Sequence, residues 1–346
     1  MRCLPKQERN KEGMLQYMNN YLITWFYAEK KEDESFYPSV GGNTSSPKFH
    51  EVYWKCVYDF FESVLLTQDN NIKLLFFTNV REIPKDIDGR NVQTFFIENN
   101  IEVIHLELTN RTPSDWYKAW RNQFYVFDIL NYCLKLNGNL LILDSDCFVR
   151  KSLIPVFEEI KNHQIITYFC GHGIDEQING ISTSEMRTLY HLIFDEQADS
   201  LVYCGGEFIG MTTDIISKVL DLYHIIWEKN YEYYTLKQKK LNEEAHFLSL
   251  IYYRLGCSNS IANKYIRRMW TALKYDNVLR SDKDLSIWHL PAEKKYGFKK
   301  LYAWFGVKER SEKAYLKYLE RYFCINSIAI VRKVRKLGYR FMDRFI

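Results

Sequence analysis

Four apolar residues in a row, Leu140-Leu141-Ile142-Leu143, run directly into Asp144-Ser145-Asp146. A run that is apolar at every position belongs to a strand covered on both faces, as in the interior of a largely parallel sheet. The preceding segments agree with this. Residues 21–28 are β-rich, and 29–47 carry charges, Gly41-Gly42 and prolines, which predicts a loop. From Phe49 to Thr67 the residues Val52, Cys56, Phe60 and Val64 recur at helical spacing, and Lys73–Thr78 and Ile101–Leu108 read as strands. A long amphipathic helix is expected from Ser114, its N-cap, to Leu136, before the strand at Asn139–Leu143. Strands alternating with helices predict an α/β architecture with a mostly parallel sheet, where ligands sit at the carboxyl ends of strands.

Composition narrows the function classes. With 346 residues and 47% apolar content the chain is long enough for a large α/β domain. No run approaches the roughly 18 apolar residues of a spanning helix. The first twenty residues, charged at Arg2, Lys6, Glu8, Arg9, Lys11 and Glu12, lack the apolar stretch of a secretion signal, so the expected location is cytoplasmic. Eight cysteines stand at least fourteen residues apart without CxxC pairs, and read as reduced thiols. A net charge of +4, with no basic stripe among exposed aromatics, argues against a nucleic-acid partner.

Asp144 and Asp146 are separated by one small residue where the apolar run ends. Mg²⁺ and Mn²⁺ favour oxygen ligands, and a diphosphate adds oxygens to the same ion, so this turn is a candidate metal-diphosphate clamp. A solvated turn is the plainer alternative.

Downstream lie Tyr203-Cys204-Gly205-Gly206-Glu207-Phe208-Ile209-Gly210 and Leu241-Asn242-Glu243-Glu244-Ala245-His246-Phe247-Leu248. Paired glycines let a backbone approach a ligand closely, and a carboxylate pair opening a helix either faces a reacting group or caps the helix. In this order the three motifs resemble the retaining family of blood-group A/B-type and α-1,3-galactosyltransferases, over about Lys73 to Leu255. The resemblance implies a GT-A fold: a Rossmann-like, nucleotide-diphospho-sugar transferase domain with a mixed, mostly parallel sheet, flanking helices and C-terminal helices. It implies that Asp144 and Asp146 hold metal and donor, that Cys204, Gly205 and Gly206 line the donor-sugar pocket, and that Glu244 faces the anomeric carbon. Glu243 would hold sugar hydroxyls, His246 would orient the acceptor, and Arg121 would stand near the donor. Tyr27, at the end of the first strand, is a further donor-binding candidate. The chain departs from that pattern at Asn242, where the family has histidine, and at Glu207, where it has an apolar residue.

Ser286-Ile287-Trp288-His289-Leu290-Pro291-Ala292-Glu293-Lys294-Lys295 places a histidine after a short apolar string, with lysines five and six residues on. This resembles the C-terminal His…Lys element of glycogenin-like and lipooligosaccharide galactosyltransferases, in which the histidine completes the metal site and a lysine meets diphosphate. Imidazole suits Mn²⁺ and lysine supplies a point charge for phosphate. The spacing does not choose between Lys294 and Lys295.

The expected organisation is a polar leader at 1–18, a catalytic domain at 19–306 and a basic amphipathic segment at 307–346. In that last segment Ile325, Ile328, Val331, Val334, Phe341 and Phe345 fall near one face, with Arg332, Lys336, Arg340 and Arg344 beside them. From Ile325 to Ile346 six Lys/Arg stand against one Asp. Such a stripe is expected either on an anionic bilayer or packed on the main domain.

Together these features predict a Mn²⁺- or Mg²⁺-dependent transferase moving a hexose or N-acetylhexosamine from a UDP-sugar to a saccharide or lipid-linked saccharide. Retention of anomeric configuration is implied by the resemblance. Alternatives are an inverting enzyme with Glu243 or Glu244 as general base, and a non-catalytic, membrane-associated glycan-binding protein. A nucleotidyltransferase would need a glycine-rich basic loop, which residues 25–33 do not offer.

Overall fold

The all-apolar run forms β4 (Gly138–Leu143), in which every residue is buried. It pairs in parallel with β1 (Asn19–Phe26), which pairs with β2 (Ile72–Thr78), which pairs with β3 (Glu102–His105). On its other side β4 meets β7 (Phe208–Thr212) antiparallel, and β7 meets β6 (Ile165–Ile166). The six-stranded order is β3-β2-β1-β4-β7-β6, a mixed and mostly parallel sheet. The computed structural model describes residues 19–37, 40, 43–67, 69–305, 323 and 329–342.

Strand periodicity divides the interior in two. Leu22, Phe76 and Leu141 face α1 (Pro47–Leu65) in one core, while Ile23, Phe77 and Ile142 join the opposite core. Helices α3 (Tyr125–Cys133), α6 (Ile216–Thr235) and α7 (Glu244–Arg254) supply that second core. The sequence puts α1 where it should: Pro47 occupies its first turn, and the Ser46 hydroxyl accepts from Phe49 N at 3.2 Å. Helices α2 (Val92–Glu98), α4 (Ile154–His163) and α5 (Thr183–Phe194) complete the flanks.

One expectation fails. The helix predicted over Ser114–Leu136 begins only at Tyr125, after a 3₁₀ turn at Arg121–Phe124, and Ser114 lies in a turn. Trp120 has φ +51°, a left-handed conformation that a helix cannot pass through. The edge strand is also shorter than expected, at Glu102–His105.

A second sheet, invisible in the sequence, has the order β5-β9-β8. It comprises β5 (Cys147–Val149), β8 (Ile266–Arg268) and β9 (Ile287–His289). After β9 a π-helical turn at Lys294–Phe298 leads into α8 (Lys299–Phe305).

Helix α9 (Ala329–Met342) corrects the expected membrane face. Arg332 is 3% exposed and donates twice to Asp276, both at 2.7 Å. Lys336 is 2.9 Å and Arg335 2.6 Å from the buried Glu293. The basic stripe is thus turned toward the protein at Arg332 and Lys336. Ile330, Val334, Leu337 and Phe341 point outward instead, each more than half exposed. The predicted leader at 1–18, the side chains of Arg340 and Arg344, and Phe345, Ile325 and Ile328 lie outside the described residues. Among the described residues no helix is long and apolar enough to cross a membrane.

Candidate active site

β1 and β4 are neighbours at the centre of the sheet, and the chain moves outward from them in opposite directions, which is the crevice where α/β sheets bind ligands. Thr24 closes the bottom of that crevice by donating to Leu143 O at 2.8 Å. Asp144 and Asp146 emerge from β4 directly above.

Strand register brings the other groups to the same place. Leu143 faces Phe208 in the β4–β7 pair, so Glu207 lies opposite Asp144, whose N–H donates to Glu207 O at 3.3 Å. Cys147 faces His289 across β5 and β9, and Arg268 faces His289 across β8 and β9. Leu290 N donates to Asp146 O at 3.0 Å, locking the end of β9 to the acidic turn. Carboxylates and imidazole that are far apart in the chain are thereby fixed by backbone pairing.

His289 Nε2 lies 3.3 Å from Asp146 Oδ2 and 3.9 Å from Asp144 Oδ2. One ligand atom from each of the three falls within 4.8 Å of the others. Two carboxylates and one imidazole are a donor set that fits a divalent cation. Lys294 donates to Asp146, and its ammonium lies 5.6 Å from the centre of the Tyr53 ring. The ammonium of Lys295 lies instead 5.9 Å from the centre of the Tyr296 ring. The structure therefore separates the two lysines that the sequence left equivalent.

The charges are mutually adjusted. Burial and the neighbouring Asp146 raise the Asp144 carboxyl to about 6. Burial opposes ionisation of Asp146 as well, but Lys294 and His289 outweigh it and hold that carboxyl well below its ordinary range. Burial disfavours the charged form of His289, yet Asp146 and Glu207 raise its imidazole to about 9. This corner is a network of charges stabilised by one another.

Two adjoining cavities share Trp120, Gln123, Asp144 and Lys294 as a common wall. The first is aromatic, with Trp25, Tyr27, Tyr37 and Tyr53 in its lining. Polar groups line the second, among them His172, Asn179, Glu243, Glu244 and Arg268. Glu244 is 8% exposed, and its Oε2 has no hydrogen-bond partner among the described residues. Burial first, then Glu243 and Asp144, push its carboxyl well above the ordinary range. Glu243 has fewer open positions: Tyr203 OH donates to it at 3.0 Å, and Asn179 donates to its other oxygen.

The glycine pair is explained by these carboxylates. A Cβ on Gly205 would overlap the Glu207 carboxylate, and one on Gly206 would overlap that of Glu244. Gly206 lines the second cavity, whereas Cys204 is fully buried with its N–H bonded to Ser249 Oγ at 2.9 Å. Gly205 N donates to Tyr168 O, and neither Cys204 nor Gly205 reaches the cavity wall.

Two predicted site residues are placed otherwise. Arg121 is buried with its guanidinium on the carbonyls of Pro113, Asp33 and Glu34, where it holds the 31–35 segment rather than lining a cavity. His246 is 0% exposed: its Nδ1 accepts from Asn242 N at 3.2 Å and its Nε2 is 3.0 Å from Ile178 O. Nε2 also lies 3.5 Å from Glu243 Oε1, so both ring nitrogens are taken up within the protein, which leaves none for an acceptor. Trp120, Gln123, Arg268 and Trp270 line the cavities and belong to no motif in the sequence. The one signal that pointed to the first two was their position beside Arg121.

No family model matches the chain, and no curated protein matches it in sequence. Among solved structures it is similar to the galactosyltransferase LgtC in complex with donor and acceptor sugar analogues. The TM-score is 0.43 at 12% identity, over 85% of this chain and 98% of that one. It is also similar to mouse xyloside xylosyltransferase 1 in its apo form, with TM-score 0.44 and 12% identity over 79% of this chain and 97% of that one. A third likeness is to the apo glycosyltransferase GlyE of Streptococcus pneumoniae, with TM-score 0.43 and 12% identity over 93% and 64% of the two chains. All three are distant likenesses.

Proposed function

We propose that the chain is a metal-dependent glycosyltransferase of GT-A type, moving a hexose or N-acetylhexosamine from a UDP-sugar to a saccharide acceptor. The observation that carries this reading is the meeting of Asp144, Asp146, His289 and Lys294 on the wall between an aromatic cavity and a polar one. Flat rings at Tyr27 and Tyr53 suit a nucleotide base, and the carboxylates and Asn179 suit sugar hydroxyls. The diphosphate joining base to sugar then lies at the acidic turn.

A divalent cation such as Mn²⁺ or Mg²⁺, held by Asp144, Asp146 and His289, would neutralise charge developing on the leaving diphosphate. Lys294 adds a fixed positive charge at the same point. Glu244 lines the sugar cavity with a carboxyl that burial holds toward its neutral form, and positive charge developing at an anomeric carbon would favour its ionised form. This supports retention, either through Glu244 as nucleophile or by attack on the leaving-group face. Glu243, bound by Tyr203 and Asn179, serves better to position hydroxyls than to accept a proton.

The acceptor in this reading is a lipid-linked saccharide of a surface-polysaccharide or lipopolysaccharide type, met by a cytoplasmic enzyme at an anionic membrane face. Its contact is the outward row of Ile330, Val334, Leu337 and Phe341, flanked by the exposed Lys333. The first experiment is release of UDP from a panel of UDP-sugars with Mn²⁺, beside Asp146→Ala. Turnover of one sugar, lost in EDTA and in the variant, supports the reading; no turnover of any sugar, with Mn²⁺ binding unchanged in the variant, sinks it.

A further inference from the structure

Glu207 is a buried carboxylate at a position where no catalytic part was expected of it, and it lies on the far side of His289 from Asp144 and Asp146. It is 2% exposed, and all of its described partners are in the site. His289 Nδ1 donates to Oε1 at 3.1 Å. Arg268 grips the same carboxylate with two bonds, Nε to Oε1 at 2.7 Å and Nη2 to Oε2 at 2.5 Å. Arg268 is itself fixed by β8, and its N–H is bonded to the Tyr168 hydroxyl at 2.8 Å.

We infer that Glu207, clamped by Arg268, is a positioning residue for His289: it holds the proton on Nδ1 and aims Nε2 at Asp144 and Asp146, so that a cation displaces only the Nε2 proton. This rests on the metal-dependent reading above and names the group that makes the imidazole a ligand. The ring has two nitrogens, and free imidazole exchanges its proton between them. Only the form with the proton on Nδ1 offers Nε2 to a cation, and a carboxylate behind Nδ1 selects that form, as behind other metal-bound histidines. The backbone cooperates, since the β4–β7 and β8–β9 registers bring Glu207 and Arg268 to one place. Gly205 completes the device, because any side chain there would fill the space that the Glu207 carboxylate occupies.

A purely structural alternative is that Glu207 and Arg268 are a buried ion pair indifferent to the cation. The two ideas separate on the full-length protein with Mn²⁺ alone as probe, its free fraction read by electron paramagnetic resonance. Removing Glu207 alone would deprive the partly buried Arg268 guanidinium of its carboxylate, so the informative variant replaces both partners, Glu207→Leu with Arg268→Met. The expected result is a cooperatively folded protein whose Mn²⁺ dissociation constant rises about 10- to 100-fold. Glu207→Gln with Arg268→Met restores an acceptor for the Nδ1 proton and is expected to recover most of that loss. Wild-type affinity in the Leu/Met protein would overturn the inference, as would equal weakening in the Leu/Met and Gln/Met proteins. Asp146→Ala is the control for the underlying reading: if it binds Mn²⁺ as well as wild type, the cation site itself is wrong and the inference falls with it.

Discussion

His289 Nε2 lies 3.3 Å from Asp146 Oδ2, in the turn that leads from β4 of the large sheet into β5 of the small one. If both hold one cation, loss of either has the same consequence. Asp146→Ala and His289→Ala are each expected to lower metal-dependent UDP release on the order of 10²- to 10³-fold, as removal of several kcal/mol of charge stabilisation requires. The double variant should be no worse than the poorer single one, since residues acting as a unit are not additive. Steady-state rates at saturating Mn²⁺ provide the check.

A pH dependence follows from the same pair. Burial lowers the proton affinity of His289, but Asp146 and Glu207 outweigh it, and the imidazole is raised to about 9, while Asp144, raised by burial and Asp146, titrates at about 6. Between those values Asp144 is ionised and His289 still carries a proton that a cation must displace. Mn²⁺ affinity should therefore rise about tenfold per pH unit from about pH 6.5 to about pH 8.5, then level off. In His289→Ala this slope should vanish. A wild-type affinity that is flat over the interval would show that the imidazole is not a ligand.

Gly206 tests the placement of Glu244. A methyl group at Gly206 would displace the Glu244 carboxylate, and a shift of about 1 Å at a reacting group costs on the order of 10²-fold in rate. Gly206→Ala should lower kcat by that order in the wild-type background and by little in Glu244→Ala. Equal loss in both backgrounds would mean that the glycine serves the turn and not the carboxylate.

Helix α9 is predicted to be held by its charges. Arg332 and Asp276 are both almost wholly buried, so Asp276→Ala, which removes the carboxylate from a buried ion pair, should lower stability by up to about 3–5 kcal/mol, read from urea unfolding. On the opposite side, Val334→Asp with Leu337→Asp should leave stability within about 0.5 kcal/mol, since both positions are exposed. If the outward row is the membrane contact proposed above, the same double change should abolish co-sedimentation with anionic vesicles. Retained sedimentation would place membrane contact elsewhere.

How much could be read from the sequence depended on whether backbone pattern alone fixed a residue's neighbours. The apolar run before Asp144 dictated a central strand, and a strand end dictated the crevice, so Asp144 and Asp146 were legible. His289 and Lys294 were legible as types at a spacing, but their meeting with Asp146 depends on a three-stranded sheet whose elements are each three residues long, too short for periodicity to reveal. Arg121 and His246 were misplaced because spacing says which element a side chain sits on and not which way it turns. Arg121 was drawn inward by three carbonyls and His246 by two main-chain groups. The late start of α3 hung on the backbone angle of Trp120, which its side chain does not announce. The basic stripe of α9 was visible, but its partners Asp276 and Glu293 lie in segments that no pattern links to it.

The brevity of β9 sets a limit on how this site tolerates change. Its three residues are paired on both sides, and successive side chains point to opposite faces. One residue inserted within Ile287–His289 would slip the register, carry the imidazole to the far face and bring an indole toward the acidic turn. A deletion would also carry the imidazole to the far face, with Leu290 taking its place. The spacing inside this strand is therefore as strict a requirement as the identity of any side chain in the site, and a sequence comparison blind to single-residue gaps would overlook the loss.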